Sequence, residues 1–135
     1  MDFIYYDSSL SEKINDNWVR GVGSVTLHMN HMLNNPQWKE YERVVIVEGL
    51  TLDSLLEKHK VTSIDFLKID VEGNEYPILE NYSWNVKPSM IKIETKLWEN
   101  REISFGISIF EPIWNMLIEN GYIIWNEEND LYAIR

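Results

Sequence analysis

Four acidic residues of this sequence are placed so that they could act together in one functional site. Asp70, Glu72 and Glu75 lie within six residues of one another, and Glu94 ends a later apolar run. Neighbouring carboxylates raise one another's pKa, bind a hard cation, or accept a proton or a hydrogen bond from a substrate hydroxyl. These side chains are therefore the first candidates for a functional site.

A predicted buried strand positions the first of these carboxylates. Residues Ile64–Val71 form a short run rich in apolar side chains between turn-forming residues, and Ser89–Glu94 forms a second run of this kind. In an open α/β sheet, ligands bind beyond the carboxyl ends of the strands, where the following helices present their positive N-termini. We therefore expect these four carboxylates, Asp70, Glu72, Glu75 and Glu94, to converge at one edge of the sheet.

Simpler roles remain open for the charged residues of this segment. Glu72 and Glu75 could serve only as charges at the N-terminus of the next helix, where an acidic side chain contributes about 0.3–1 kcal/mol. Alternation along the strand places Lys68 on the face opposite Leu67, and we expect its side chain either to extend to the edge of the sheet or to pair with a carboxylate such as Asp65.

The remaining pattern predicts an α/β chain that begins irregularly. We expect an irregular N-terminal segment over residues 1–43 that contains a short strand, and a regular α/β part over residues 44–135. The predicted elements are strands at Phe3–Tyr6 and Arg43–Val47, helices at Thr51–Lys60 and Glu75–Asn81, an amphipathic helix with Phe110, Ile113, Trp114, Leu117 and Ile118 on one face and Gly121 at its end, and a hairpin of Tyr122–Trp125 with Leu131–Ile134.

Two of these segments resemble the signature of the FkbM-type family of S-adenosylmethionine-dependent methyltransferases. The stretch Leu50–Leu56 reads LTLDSLL, and Leu67–Glu75 reads LKIDVEGNE. In the family, a TLD-x-LL helix leads into an LKIDVEG-x-E strand and turn. The downstream Ile91–Glu94 and Gly121–Tyr122 are also similar, so the resemblance covers residues 44–135, about two thirds of the chain.

The resemblance implies part of a Rossmann-like class I methyltransferase sheet, mostly parallel and closed by a C-terminal antiparallel hairpin. Such enzymes bind the cofactor with a glycine-rich turn between a first strand and helix, followed by an acidic residue that binds the ribose. Gly21-Val22-Gly23 is a bare GxG that suits a turn or hairpin instead. We therefore expect the cofactor-binding half to lie upstream of this chain or on another chain, and this chain alone to bind S-adenosylmethionine weakly or not at all.

The resemblance also assigns expected roles to the candidate residues. Asp70 would be the catalytic base or a cofactor contact near the transferred methyl group, with Glu72 and Glu94 in support. Trp98 and Trp18 are expected to line a substrate pocket. The expected acceptor is a hydroxyl of a sugar or a related small molecule or glycan.

Composition narrows the classes of partner. The chain has 135 residues and a net charge of -10, from 22 acidic and 12 basic residues, which disfavours nucleic acid and anionic lipid as partners. It contains no cysteine, so disulfides and cysteine zinc sites are excluded. His28 and His31 lack a third ligand nearby, so no metal site is expected. No apolar run is long enough to cross a membrane and no signal peptide is evident, so we expect a cytoplasmic protein.

Two functions from different classes remain open. The first is an FkbM-type O-methyltransferase, or a C-terminal part of one. The second is a non-catalytic binding or interaction domain that keeps the methyltransferase-like sheet but has lost the cofactor site. In either case, a sheet that lacks its upstream strands would expose an edge, so we expect self-association or pairing with a cofactor-binding half.

Overall fold

The structure is a computed structural model, which describes residues 2–14, 23–24, 36–71, 74–94, 110–128 and 130–135. The chain divides into two compact units, each with its own sheet. The first unit comprises residues 1–49 together with 71–74, and the second comprises residues 50–70 together with 75–135. Our expected division between residues 43 and 44 stays a prediction.

The first unit contains a three-stranded antiparallel sheet in the order β2-β1-β3. Its elements are β1 (Asp2–Tyr6), α1 (Ser8–Ile14), β2 (Gly23–Ser24), a 3₁₀-helix (Pro36–Tyr41) and β3 (Glu42–Ile46). The predicted strand at Arg43–Val47 is thus β3, and it pairs with β1 along its whole length, from Asp2 opposite Ile46 to Tyr6 opposite Glu42. Ile4, Tyr6 and Leu10 are buried in this unit, because alternate residues of β1 and one face of α1 are apolar.

The second unit contains a four-stranded mixed sheet in the order β4-β5-β7-β6. Its elements are α2 (Leu52–Lys58), β4 (Phe66–Ile69), α3 (Glu75–Glu80), β5 (Met90–Glu94), α4 (Phe110–Glu119), β6 (Ile123–Glu127) and β7 (Asp130–Ile134). The expected α/β class and the terminal hairpin are confirmed.

The sheet of the second unit is less parallel than the sequence led us to expect. Only β4 and β5 are parallel among its described strands, whereas β7 runs antiparallel to both of its neighbours. The reason is the tight β6–β7 connection, which returns β7 along β6 and places it against β5. A parallel neighbour would need a longer crossover.

Alternation along the strands separates a buried face of this sheet from an exposed one. The buried face carries Ile69, Ile91, Ile93, Leu131 and Ala133, and the helices of the unit contribute the buried Leu56, Leu79, Ile113 and Leu117. The register brings Ile69 beside Ile93, and Ile93 beside Leu131. The apolar residues of three adjacent strands therefore form one continuous layer of the core.

Helix α4 buries a narrower stripe than the sequence predicted. Ile113 and Leu117 are fully buried and Trp114 is partly exposed, but Ile118 is 53% exposed. Successive helical residues turn by about 100°, so Ile118 lies roughly 140° from Ile113 around the axis. The helix ends as predicted at Gly121, whose φ of 89° is in the left-handed region, and the amide of Tyr122 donates to the carbonyl of Leu117 at 3.1 Å.

Helix α2 is held at its N-terminus by two side chains of the TLD stretch. Thr51 is its N-cap and accepts a hydrogen bond from the amide of Ser54 at 3.1 Å. Asp53, the acidic residue in the first turn of the helix, accepts hydrogen bonds from the amide and hydroxyl of Ser83 at 2.8 and 2.6 Å. Asp53 therefore ties α2 to the segment that follows α3. The helix ends at Lys58, two residues earlier than predicted, and Lys60 has a φ of 54°.

A buried tyrosine ties the start of the hairpin to the segment before β5. The hydroxyl of Tyr122 donates to the carbonyl of Pro88 at 2.7 Å, and the ring of Trp84 packs against the rings of both Tyr122 and Tyr82. Burial raises the pKa of Tyr122 to about 12.

None of the helices in the described ranges is long and apolar enough to cross a membrane.

We expect Tyr122→Phe to lower the free energy of unfolding by about 1–2 kcal/mol, because the carbonyl of the buried Pro88 loses this donor. Urea denaturation measures the loss. The matched control is Tyr76→Phe, since the hydroxyl of Tyr76 donates to Glu80 in an exposed position. That change should cost less than about 0.5 kcal/mol.

The stability of Tyr122→Phe and that of the unsubstituted protein should also depend differently on pH. An unfolded tyrosine ionises near about pH 10, whereas folded Tyr122 retains its proton to about 12. The contribution of Tyr122 is therefore complete below the unfolded pKa and is lost as the pH rises towards the folded value. Tyr122→Phe should lose less stability over this alkaline range than the unsubstituted protein. Parallel curves would contradict the assignment of Tyr122 as a buried, neutral donor.

Candidate functional site

The structure brings together two of the predicted site residues, Asp70 and Glu94. The parallel register pairs Lys68 with Lys92 and Ile69 with Ile93, so the next residues along the two strands also lie side by side. Asp70 follows Ile69 and Glu94 follows Ile93, so the two carboxyl groups belong to adjacent strand ends. The other predicted site residues, Glu72, Trp98 and Trp18, lie outside the described residues.

The exposed face of the sheet continues this pair into a row of three carboxylates. Glu94 of β5 is paired in register with Asp130 of β7, which places Glu94 between Asp70 and Asp130. The adjacent row holds Lys68, Lys92 and Tyr132, because Lys92 is paired with Tyr132 across the same two strands. Residues i and i+2 of a strand point to the same face, so the two rows lie next to each other on the exposed face of the sheet.

Each outer carboxylate of the row has a lysine in contact. The ammonium of Lys68 lies 2.8 Å from Oδ2 of Asp70, and the ammonium of Lys92 lies 2.8 Å from Oδ2 of Asp130. Lys92 also sits over the ring of Tyr132, 5.3 Å from its centroid.

The partner of Lys68 therefore differs from the one that we expected. The sequence suggested a carboxylate such as Asp65, three residues earlier, but the structure pairs Lys68 with Asp70, two residues later. An offset of two places both side chains on one face of the strand, whereas an offset of three places them on opposite faces. The same alternation that put Lys68 opposite Leu67 thus favours Asp70 as its partner.

These contacts favour the ionised form of Asp70. The hydrogen bond from Lys68 is the largest cause that lowers the pKa of Asp70. Burial, the second-largest cause, opposes it, and the charge of Lys68, the interaction with Glu94 and the charge of Lys92 lower the pKa further. Asp70 in turn raises the pKa of Lys68. The carboxylate of Asp70 is 38% exposed, so it remains accessible while it is held in the anionic form.

An ionised and accessible carboxylate at the end of a parallel strand can act in two ways. It can accept a proton or a hydrogen bond from a hydroxyl group, and it can attract a positively charged group. The strand register places Glu94 as a second carboxyl group beside it. The strand ends therefore offer a proton acceptor with a neighbouring carboxyl group.

Glu75 is more deeply buried than the sequence indicated. It is the first residue of α3, as predicted for a charge near a helix N-terminus, but only 1% of it is exposed. Within the ranges that the structure describes, no group of three or more His, Asp and Glu side chains is arranged to hold a metal ion. His28 and His31 are outside those ranges.

Comparison with known proteins identifies the family of this chain. No curated protein and no solved structure gives a significant match. The family model described as the methyltransferase FkbM domain matches residues 7–124, which is most of the sequence. This match agrees with the resemblance carried by the TLD and LKIDVEG stretches. The chain therefore belongs to the FkbM methyltransferase domain family.

Proposed function

We propose that this chain takes part in S-adenosylmethionine-dependent O-methylation of a hydroxyl group on a sugar or a related small molecule. Membership of the FkbM family supports a methyltransferase. The observation that carries the finer proposal is the state of Asp70, an accessible carboxylate held in the anionic form at the end of β4. A hydroxyl acceptor needs such a group, since its proton must leave as the new bond to oxygen forms.

The chemistry of Asp70 also fits the cofactor. When bound, S-adenosylmethionine supplies a methyl group on a positively charged sulfur, which is already a strong electrophile. A carboxylate such as Asp70 is suited to lie near a positive charge or to accept a hydrogen bond from a ribose hydroxyl. We therefore propose Asp70 as the residue of this site that contacts both the cofactor and the acceptor.

The protein's own part in the reaction is alignment and proton removal. Asp70 accepts the hydrogen bond of the acceptor hydroxyl and orients the oxygen, and then takes its proton as the methyl group is transferred. Glu94, at the end of the adjacent strand, is proposed to support Asp70. We further propose that Glu72 assists at this strand end, and that Trp98 and Trp18 line the acceptor pocket.

The sheet of the second unit supports a proposal about the fold. Its order is β4-β5-β7-β6, with a parallel first pair and an antiparallel end. A class I methyltransferase sheet ends in the same manner, so we propose that this unit is the C-terminal part of such a Rossmann-like sheet. Within the described ranges, β4 pairs only with β5. We propose that its other edge receives a strand of a cofactor-binding half or of a second copy of the chain.

For the cofactor, we expect the 135-residue chain alone to bind S-adenosylhomocysteine only weakly. The glycine-rich turn and the ribose-binding carboxylate of the family's first half are not recognisable in its sequence. Calorimetric titration measures the affinity. Micromolar or tighter binding by the monomer would contradict the expectation and would show that residues of this chain form a complete cofactor site. Binding only in a dimer would support a site completed by the second copy.

For catalysis, we expect Asp70→Asn to reduce methyl transfer at least about tenfold, because the amide cannot take the proton of the acceptor. Transfer is measured in the chain joined to a complete cofactor-binding half, with methyl-labelled S-adenosylmethionine and a panel of methyl glycosides as acceptors. Asp65→Asn is the matched control, since it makes the same chemical change at an exposed position in the same segment. Its turnover should be unchanged.

Two outcomes would count against this proposal. If Asp70→Asn folds and turns over as fast as the unsubstituted protein, Asp70 is not the base. If the unsubstituted protein joined to a complete cofactor-binding half binds the cofactor but transfers no methyl group to any acceptor, the alternative of a non-catalytic binding domain is favoured. Thermal unfolding of the three proteins separates loss of chemistry from loss of the fold.

A further inference from the structure

We propose that the exposed face of β6 binds a sugar ring of a glycan, with Trp125 as the surface on which the ring stacks and Glu127 as an acceptor for its hydroxyl groups. The inference deepens the proposed function, because it makes the acceptor a glycan of several sugar units. It rests on that function for its catalytic meaning, but binding of the glycan can be measured without any activity.

The first observation is a stack of side chains that crosses three strands. The strand register places Lys92, Tyr132 and Trp125 side by side on β5, β7 and β6. The ammonium of Lys92 lies 5.3 Å from the centroid of the Tyr132 ring, and the rings of Tyr132 and Trp125 are stacked with centroids 5.4 Å apart and planes 11° apart. Lys92 is itself held by Asp130 at 2.8 Å. A series of contacts therefore fixes the orientation of the indole.

Trp125 ends this stack at the edge of the sheet. Among the described strands, β6 pairs only with β7. Tyr132 covers one face of the indole, while 39% of Trp125 is exposed. Within the part of the chain that the structure describes, the next position of the stack, against the other face of the indole, is open to a ligand. Because the indole is already held in place, stacking a ligand on it costs little side-chain ordering.

The neighbours of Trp125 on β6 indicate what kind of ligand fits. Ile123 and Glu127 lie two positions before and after Trp125, so alternation places all three on one face, and we call them the β6 platform. Ile123 is 72% exposed and offers an apolar surface, whereas the exposed carboxylate of Glu127 offers hydrogen-bond acceptors. A sugar ring has a face of C–H bonds that suits the electron-rich face of an indole and a rim of hydroxyl donors that suits a carboxylate.

The charges around the β6 platform favour a neutral ligand over an anionic one. The register continues the acidic row of Glu94 and Asp130 to Glu127, and the whole chain carries a net charge of -10. Nucleobases also stack on aromatic side chains, but the phosphate of a nucleotide would be repelled by these carboxylates. The platform is therefore better suited to a neutral sugar than to a nucleotide.

The position of the β6 platform implies a glycan of more than one unit. In the order β4-β5-β7-β6, the strands that carry Asp70 and Trp125 are three spacings apart, which is about 14 Å. A single sugar ring is shorter than this distance. The sugar that stacks on Trp125 is therefore a different unit from the one whose hydroxyl group meets Asp70. The platform binds the acceptor, and the methyl-transfer step takes place at the other side of the sheet.

The test is a titration of the full chain, labelled with nitrogen-15, with three neutral trisaccharides: maltotriose, cellotriose and N-acetylchitotriose. The indole N–H signal of Trp125 is assigned by NMR from its loss in Trp125→Phe. This signal should shift in a saturable manner with at least one of the trisaccharides. Adenosine monophosphate, which presents a base together with a phosphate, should leave the signal where it is.

Two substitutions test the contacts. Trp125→Ala should weaken binding of the trisaccharide at least about tenfold, because the stacking surface is lost. Glu127→Ala should also weaken binding, and it keeps the test available if Trp125→Ala fails to fold. The matched control is Tyr5→Ala, since Tyr5 is 38% exposed and stacks on Phe3 in the first unit, with centroids 6.3 Å apart and planes 24° apart. Its affinity should equal that of the unsubstituted protein.

Three results would overturn the proposal. The first is that none of the trisaccharides shifts the indole signal of Trp125. The second is that adenosine monophosphate shifts this signal and the trisaccharides do not, which would make the platform a site for a nucleobase. The third is that folded Trp125→Ala binds the trisaccharide as tightly as the unsubstituted protein does.

Activity distinguishes this proposal from the proposed function. In the chain joined to a complete cofactor-binding half, Trp125→Ala should raise the KM for the trisaccharide acceptor more than it lowers kcat, because Trp125 lies away from the reacting oxygen. If trisaccharides bind at Trp125 while Asp70→Asn keeps full turnover, the glycan site stands and the role of Asp70 as the base fails. If Asp70→Asn loses turnover while Trp125→Ala leaves the affinity unchanged, the proposed function stands and the glycan site fails.

Discussion

The parallel pairing of β4 with β5 is the constraint on which the candidate site depends. A shift of one residue in this register would exchange the two faces of the strand and would move Ile69 out of the core and Lys68 into it. The burial of Ile69, Ile91 and Ile93 opposes such a shift, since each is almost completely removed from solvent. The hydrophobic side of the sheet thereby fixes the positions of the charged groups on the other side, including the approach of Asp70 to Glu94.

The charges of the exposed face act by orientation more than by stability. Lys68 and Asp70 are 52% and 38% exposed, and ion pairs with this degree of exposure contribute little to the free energy of folding. The side chains of Lys92 and Asp130 are only 26% and 24% exposed, and the ammonium of Lys92 also lies over the ring of Tyr132. The more enclosed pair on β5 and β7 and the more accessible pair on β4 thus share one surface. That arrangement leaves the accessible carboxylate of Asp70 at the end of β4.

Much of this arrangement could be predicted from the sequence, because it depends on local patterns. Alternation located β4 and β5, Thr51 and Gly121 marked the ends of helices, and the equivalent positions of Asp70 and Glu94 at two strand ends indicated that they would meet. The contacts that were missed depend on partners distant in the sequence. Examples are the pairing of β1 with β3 and the hydrogen bonds between Asp53 and Ser83, which join segments far apart in the sequence. No local sequence pattern indicates such contacts. Strand alternation alone favours Asp70 over Asp65 as the partner of Lys68. The structure was needed to show that the carboxylate of Asp70 lies within contact distance of the ammonium of Lys68.

The most direct test of the account is a cross-link between the two strand ends. The chain has no cysteine, so a pair introduced by substitution reports only on itself. Neighbouring strands are separated by about 4.8 Å and the outer members of three strands by about 10 Å, whereas a disulfide joins Cα atoms roughly 4.4–6.8 Å apart. The double variant Asp70→Cys with Glu94→Cys should therefore form a disulfide under mild oxidation, and the variant Asp70→Cys with Asp130→Cys should stay reduced. A folded protein in which the first pair stays reduced, or in which the second pair forms as readily, would contradict the register and the site built on it.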